Sequence, residues 1–164
     1  MASARENETL TTGQRAPDFR LRDLAGGERL LGELLKSGPV FLAFFKVSCP
    51  TCQFTLPFLE RVYQGVNGRA QMFAVSQDDD EATREFHREF GITMPTLLDS
   101  PRHGYPASNA YGLAHVPSMF LVEQDGTISW SLVGFHRKDL EALGQKLGVN
   151  PFKPGERVPE MKSG

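Results

Sequence analysis

The residues with the clearest chemical potential are Cys49 and Cys52, which are the only cysteines in the chain. A continuous apolar run, Val40–Phe45, precedes them and predicts a strand buried on both faces. Apolar residues then recur every fourth position, at Phe54, Phe58 and Val62. That spacing predicts a helix. We therefore expect both cysteines at a strand-to-helix junction.

This position would favour nucleophilic sulfur chemistry. A helix start has unpaired backbone N–H groups and the positive end of the helix dipole, so a thiolate is stabilised there. Cys49, the first of the pair, is the predicted attacking thiolate. Pro50 suits the first helical turn because it has no N–H to leave unpaired. After Thr51, Cys52 would lie close enough for its sulfur to attack a mixed disulfide on Cys49, so the pair could cycle between dithiol and disulfide.

Two structural roles compete with a redox role for this pair. A structural disulfide between Cys49 and Cys52 would close a very short loop and contribute little through chain entropy. Structural zinc normally has four Cys or His ligands, and a second pair of ligands is missing. The histidines show no paired ligand spacing; they are His87, His103, His115 and His136. Redox activity is therefore the preferred interpretation, without a bound metal.

Size and composition indicate an ordinary globular domain. A chain of 164 residues fits one domain, and 40% of its residues are hydrophobic. The net charge is −2 and no long basic run occurs. Nucleic acid and anionic membrane surfaces are therefore unlikely classes of partner on electrostatic grounds.

The sequence also bears on location. No stretch approaches the roughly 20 apolar residues of a membrane span. Residues 1–14 are polar and lack the apolar core of a secretion signal. We therefore expect no membrane span and a cytoplasmic location, or an exported protein if a signal sequence has been removed.

The order of predicted elements indicates an α/β domain. Strand, helix, strand, helix and strand are followed by a hairpin around Asp125-Gly126 and a closing helix. This order predicts a central mixed sheet with helices on both faces. We expect residues 1–15 to form a flexible segment, residues 16–149 to form the domain, and residues 150–164 to form an extended tail. Residues 101–108 are expected to form a loop.

With these motifs together, the chain resembles the thioredoxin superfamily. Within it, the chain is similar to the TlpA/ResA-like and AhpC/TSA-like thiol-disulfide oxidoreductases. The resemblance spans roughly residues 16–147. It rests on residues 16–19 (Ala-Pro-Asp-Phe), 44–52, 73–76 (Phe-Ala-Val-Ser), 111–113 (Tyr-Gly-Leu), 116–118 (Val-Pro-Ser), 125–126 (Asp-Gly) and Gly134.

The resemblance implies a thioredoxin-like fold and a role for each matching residue. Cys49 matches the attacking cysteine and Cys52 the resolving cysteine. Pro117 matches a cis-proline that faces the disulfide, and Val116 matches the residue whose backbone pairs with an extended substrate. The implied partners are a disulfide-containing protein substrate and an upstream thiol or disulfide donor, and no cofactor is implied.

Some positions depart from the family pattern. Ser48 stands where thioredoxins carry a tryptophan, and Ala43 stands where they carry a buried aspartate. Thr55 occupies the place of a glutamate found in many TlpA/ResA-like proteins. The usual carboxylate acceptor for the Cys52 proton is therefore missing, and Lys46 and His115 are the candidate electrostatic auxiliaries.

Two other functions remain open from the sequence. Peroxiredoxins resemble this chain in residues 16–19, but their peroxide-enclosing proline and threonine are replaced here by Leu42 and Lys46. A Cu(I)-binding module could use Cys49, Cys52 and a histidine such as His136. Copper-delivery members of the superfamily usually have three residues between their cysteines, whereas this chain has two.

Overall fold

The structure is a computed structural model in which residues 8–164 are described. Its strands are β1 (Arg20–Asp23), β2 (Glu28–Leu30), β3 (Val40–Phe45), β4 (Gln71–Ser76), β5 (Thr96–Leu98), β6 (Ser118–Val122), β7 (Ile128–Val133), β8 (Phe135–His136) and β9 (Met161–Lys162). The first seven form one sheet in the order β2-β1-β5-β4-β3-β6-β7. Strands β3, β4 and β5 are parallel, and the other pairings are antiparallel. The predicted mixed sheet is confirmed.

Helices cover both faces of this sheet, as predicted. They are α1 (Leu31–Leu35), α2 (Pro50–Val66), α3 (Asp80–Phe90), α4 (Pro106–Ala110) and α5 (Arg137–Leu147), with a 3-10 turn at Pro101–His103. Apolar residues of α2, α3 and α5 form one core cluster with the sheet. Residues of α1 and α4 belong to a second cluster on the opposite face. The alternation of side chains along β3 divides its apolar residues between the two clusters.

Strand β3 lies at the centre of the domain. All six of its residues have zero exposure, which confirms the strand predicted to be buried on both faces. The parallel register places Phe45 beside Ser76, at the ends of β3 and β4. The antiparallel register places Phe44 beside Ser118, at the start of β6. The end of β3 therefore meets the end of β4 and the beginning of β6 at one edge of the sheet.

A buried carboxylate joins α2 to the segment before β5. Glu60 is 8% exposed. One of its oxygens accepts hydrogen bonds from the backbone N–H groups of Thr93 and Met94, both at 2.9 Å. The other accepts from the Thr93 hydroxyl at 2.5 Å and from the Gln64 amide at 2.7 Å. The charge is thus compensated by polar donors, as burial of a carboxylate requires.

Residues 101–108 differ from the predicted loop, because they contain the 3-10 turn and the start of α4. Asp99 has zero exposure and stabilises this region. Its carboxylate accepts hydrogen bonds from the N–H groups of Ala107 at 2.9 Å and Ser108 at 2.7 Å. Such side-chain acceptors satisfy donors that a helix start leaves unpaired, which allows a short helix to form here.

The segment before the domain is hydrogen-bonded where the structure describes it. Residues 1–7 of the expected flexible segment lie outside the described residues. Leu10 N–H donates to the Tyr111 carbonyl at 3.1 Å, and Gly13 N–H donates to the Ile128 carbonyl at 2.8 Å. Arg15 forms an isolated antiparallel bridge with Thr127. Residues 9–15 thus differ from the loosely held segment expected, because backbone groups at the end of α4 and at the hairpin provide partners.

The final residues lie along the domain instead of extending away from it. Arg61 binds the Glu156 carboxylate through two nitrogens, at 2.8 and 2.9 Å. The Phe152 ring packs at 5.0 Å from the Phe58 ring. Strand β9 then pairs with β8. Apolar and ionic contacts thus hold residues 150–164 against the domain.

No helix within residues 8–164 is long and apolar enough to cross a bilayer.

We expect Glu60→Ala to lower the free energy of unfolding by about 2–4 kcal/mol, because it leaves the buried N–H of Met94 and the part-buried N–H of Thr93 without an acceptor. Urea unfolding followed by circular dichroism measures the change. Glu89→Ala, at an exposed position of α3, is the matched control and should stay within about 0.5 kcal/mol of the parent. Equal stabilities for the two variants would contradict the role assigned to Glu60.

Candidate functional site

The site lies where β3 ends and α2 begins. A short loop, residues 46–48, joins the two elements. Cys49 is the N-cap residue of α2 and Pro50 is its first residue. The predicted strand-to-helix junction is confirmed. Its place at the carboxyl end of the parallel strands is where open α/β sheets usually hold their sites.

Cys49 is half-buried and caps the helix with its own sulfur. Its Sγ accepts a hydrogen bond from the Cys52 backbone N–H at 3.1 Å. The Cys49 backbone carbonyl accepts from the Gln53 N–H at 3.0 Å. The start of α2 thus directs an otherwise unpaired backbone donor at the Cys49 sulfur.

The loop before Cys49 is held from two sides. The Val47 N–H donates to an Asp78 carboxylate oxygen at 2.8 Å. The Gln53 side-chain amide donates to the Val47 carbonyl at 2.9 Å. The Cys49 N–H also donates to the Lys46 carbonyl at 3.1 Å. These bonds fix the backbone from which the Cys49 side chain projects.

Sequence reasoning missed Asp78 and Gln53 as parts of the site. By composition, the acidic run at residues 78–81 predicts only helix capping and solvation. Asp78 lies two residues beyond β4, however, and the carboxyl end of a parallel strand meets that of its neighbour. That rule could have placed Asp78 beside the cysteine loop. Nothing in the sequence distinguishes Gln53 from other polar residues of α2.

Cys52 differs sharply from Cys49 because it has zero exposure. Burial raises the pKa of the Cys52 thiol above its usual range, and its interactions with Cys49 and with the Asp78 carboxylate act in the same direction. A hydrogen bond with the Lys46 backbone lowers the pKa of Cys52 and so offsets a part of this rise. Cys52 is therefore held as the neutral thiol at neutral pH.

Val116 and Pro117 face the cysteines. The Val116–Pro117 peptide bond is cis, as the family resemblance implies. The Cys49 thiol lies 3.5 Å from the Val116 carbonyl oxygen, to which it can donate. Pro117 is buried, whereas Val116 is half-buried. The structure thus brings together the four residues predicted to form the centre of the site.

The auxiliary residues divide into two groups. A cavity of about 460 Å³ lies beside Cys49 and includes Lys46, Pro50 and His115 in its lining. Ser48 is exposed and does not line this cavity. Thr51 does not line it either, and its hydroxyl donates to the Ser163 carbonyl at 2.5 Å.

The positions of the missing family carboxylates are filled by neutral side chains. Ala43 has zero exposure within β3. Thr55 is also buried, and its hydroxyl donates to the Thr51 carbonyl at 2.7 Å. Neither can accept the Cys52 proton as a carboxylate would. Asp78 is the carboxylate whose charge acts on the Cys52 thiol.

The geometry offers little to the two alternative functions. Leu42 has zero exposure and belongs to the core cluster of α1 and α4, whereas Cys49 packs against the other cluster. Leu42 therefore cannot line a peroxide pocket at Cys49. Within the part of the chain that the structure describes, no three Cys, His, Asp or Glu side chains are grouped closely enough to hold a metal ion. His136 is therefore not grouped with Cys49 and Cys52 among the described residues.

Comparisons with known proteins agree with this geometry. A model of the AhpC/TSA family matches residues 12–131. The thiol-disulfide oxidoreductase ResA of Geobacillus thermodenitrificans is 31% identical over 140 residues, which cover 82% of this chain and 76% of the relative.

Solved structures also share the fold. The thioredoxin domain of a thiol-disulfide oxidoreductase from Bacteroides vulgatus superposes with a TM-score of 0.73 at 23% identity, over 84% of this chain and 98% of the other. A structure from Chlorobium tepidum, described as a thiol:disulfide interchange protein DsbE, gives a TM-score of 0.69 at 26% identity over 85% and 96%. This chain belongs to the AhpC/TSA family and is a thiol-disulfide oxidoreductase with a thioredoxin-like fold.

Proposed function

We propose that this chain reduces or exchanges disulfides in protein substrates, with Cys49 as the attacking cysteine and Cys52 as the resolving cysteine. The observation that carries the proposal is the contrast between the two sulfurs. Cys49 Sγ is half-buried at a helix start, 3.1 Å from a backbone N–H. Cys52 is enclosed directly behind it. An incoming disulfide can therefore reach one sulfur and not the other.

The reaction proceeds in two exchanges. The Cys49 thiolate attacks one sulfur of the substrate disulfide, a Cys49–substrate bond forms, and the other substrate sulfur leaves as a thiolate that takes up a proton. Cys52 then loses its proton and attacks Cys49 Sγ. The Cys49–Cys52 disulfide forms, and the second substrate sulfur leaves. Two electrons pass from the dithiol to the substrate, and an upstream thiol donor must return them; a disulfide donor would drive the reverse direction.

The raised pKa of Cys52 supports this order of events. Burial keeps Cys52 protonated while Cys49 is free, so the two sulfurs do not compete as nucleophiles. When Cys49 is joined to a substrate sulfur, it no longer carries a negative charge near Cys52. Loss of that charge makes deprotonation of Cys52 easier, and the resolving attack follows.

Val116 supports recognition of an extended segment. Its backbone lies two residues before the start of β6 and beside Cys49 Sγ. An extended peptide can add to such an edge through backbone hydrogen bonds. A substrate cysteine within that segment would then be held near Cys49. A cytoplasmic location stays part of the proposal, because a redox pair without other cysteines suits a reducing compartment.

The proposal is tested by reduction of insulin in the presence of dithiothreitol. Cys49→Ser should abolish the rate above background, because it removes the attacking sulfur. Cys52→Ser should instead accumulate a mixed disulfide on Cys49 that mass spectrometry detects, because the resolving sulfur is absent. Retained insulin reduction by Cys49→Ser would refute the assignment. Peroxide consumption by the same preparations would measure the peroxiredoxin alternative directly.

A second prediction concerns pH. Because burial raises the pKa of Cys52, the rate at which a Cys49 mixed disulfide is resolved should rise with pH across the neutral range. Asp78→Asn removes a charge that contributes to this shift and retains an oxygen that can accept from the Val47 N–H. We expect resolution to be about two- to threefold faster at pH 7, the size of a partly screened charge interaction. Stopped-flow release of a chromogenic thiol from a preformed mixed disulfide measures it.

Asp80→Asn is the matched control for this experiment, since Asp80 is exposed in the first turn of α3. It should leave the pH profile of the parent unchanged. Identical profiles for Asp78→Asn and the parent would show that the Asp78 charge does not act on Cys52.

A further inference from the structure

Residues 161–164, here called the tail segment, lie beside Val116, the residue proposed to pair with an extended substrate. The first two form β9, which pairs with β8 through Phe135 opposite Lys162 and His136 opposite Met161. The next residue, Ser163, accepts a hydrogen bond at its carbonyl from the Thr51 hydroxyl at 2.5 Å. The tail segment therefore crosses the start of α2 next to the cysteine pair.

The segment then reaches Val116 itself. Gly164 lines the cavity that also contains Cys49, Val116 and His115. A Cβ atom on Gly164 would lie 2.7 Å from the Val116 carbonyl oxygen. The same oxygen lies 3.5 Å from Cys49 Sγ. The backbone of the tail segment thus contacts the backbone group with which an extended substrate would pair.

This close approach depends on a glycine of the facing loop. Gly134 has a φ of +78°, and a Cβ there would lie 2.9 Å from the Lys162 carbonyl oxygen and 3.2 Å from the Gly164 nitrogen. Cβ contacts under about 3.0 Å force a shift of the neighbouring backbone. Gly134 therefore leaves room for the tail segment to lie against the site.

The tail segment is weakly held, whereas the residues before it are firmly held. Its four residues are exposed, and its ladder with β8 is only two residues long. Upstream, Glu156 binds Arg61, and the Arg137 N–H donates to the Glu160 carbonyl at 2.9 Å. Segments with few buried contacts open at low free-energy cost. Since the upstream anchor keeps the segment near the site, it competes there at a high effective concentration.

A small disulfide does not have to displace the tail segment from Val116 in order to reach Cys49. The cavity beside Cys49 measures about 460 Å³, and its lining also includes Lys46, Gln77 and His115. A compact molecule can approach Cys49 through this cavity without pairing with Val116. Lys46 provides a positive charge there for a carboxylate of such a molecule.

We infer that the tail segment is a specificity element. It occupies the Val116 backbone, with which an extended substrate would pair, and so discriminates against extended protein disulfides. It leaves Cys49 open to small anionic disulfides. A protein substrate must displace residues 161–164 before its backbone can pair with Val116. This inference rests on the proposed function and names the substrate classes that the site distinguishes.

The test compares two substrates, insulin as a protein disulfide and oxidised glutathione as a small anionic disulfide. Deletion of residues 161–164 should raise kcat/KM for insulin about three- to tenfold, mainly through a lower KM, because a tethered competitor is removed. The value for oxidised glutathione should change by less than about twofold. A fall in the insulin value, or an equal change for both substrates, would overturn the inference.

Two point variants keep the test decisive if the deletion destabilises the chain. Gly164→Val places a Cβ against the Val116 carbonyl, so it should displace the end of the segment and favour insulin in the same direction. Ser163→Ala retains the carbonyl that Thr51 binds and should match the parent with both substrates. If Gly164→Val leaves the insulin to glutathione ratio unchanged, the tail segment has no role in specificity. The proposed function would still stand in that case if Cys49→Ser, alone among the variants, lost activity with both insulin and oxidised glutathione.

Discussion

The hydrogen bond from the Cys52 N–H to Cys49 Sγ, at 3.1 Å, is the contact on which the site depends. It exists because α2 begins at Cys49, and a helix start has N–H groups without partners inside the helix. The start of α2 is fixed in turn by β3, whose six residues are completely buried. A rigid strand thus delivers the chain to one point, and an unpaired backbone donor meets the sulfur there.

The chemistry follows from the different surroundings of two identical side chains. Cys49 lies at the surface of the helix start, and Cys52 lies one turn further inside the core cluster. Water and hydrogen-bond donors stabilise a thiolate, whereas an apolar environment penalises it. The same burial that helps to pack α2 against the sheet therefore also assigns the roles of the two sulfurs. Packing and redox function are not separate properties here.

The carboxylate that acts on the buried thiol comes from Asp78 instead of from the positions at which the family resemblance implies an acid. Those positions hold Ala43 and Thr55, which are buried and neutral. Asp78 provides a carboxylate from the end of β4, and it also holds the Val47 N–H. A single side chain thus supports the loop and acts electrostatically on the buried thiol. Its acceptor role and its charge are separable, because asparagine retains the first and removes the second.

Local sequence determined the elements that carry the site. The apolar run of β3, the helical spacing after Cys52 and Asp125-Gly126 at the hairpin are signals that neighbouring residues generate among themselves. They were sufficient for the mixed sheet, for helices on both faces and for the junction that holds the cysteines. The start of α4 lies in the segment predicted to be a loop, because its N–H groups are satisfied by Asp99, a side chain outside that segment.

Only the tertiary structure decided which distant groups meet at the cysteines. Asp78 reaches Val47 across 31 positions of sequence, and Thr51 reaches Ser163 across 112. Polar composition carries no information about the surface on which a tail lies. That surface depends on the register of the strands and on the space left by glycine at position 134. Sequence patterns report period and propensity within one element, whereas contacts between elements depend on how all of them pack together.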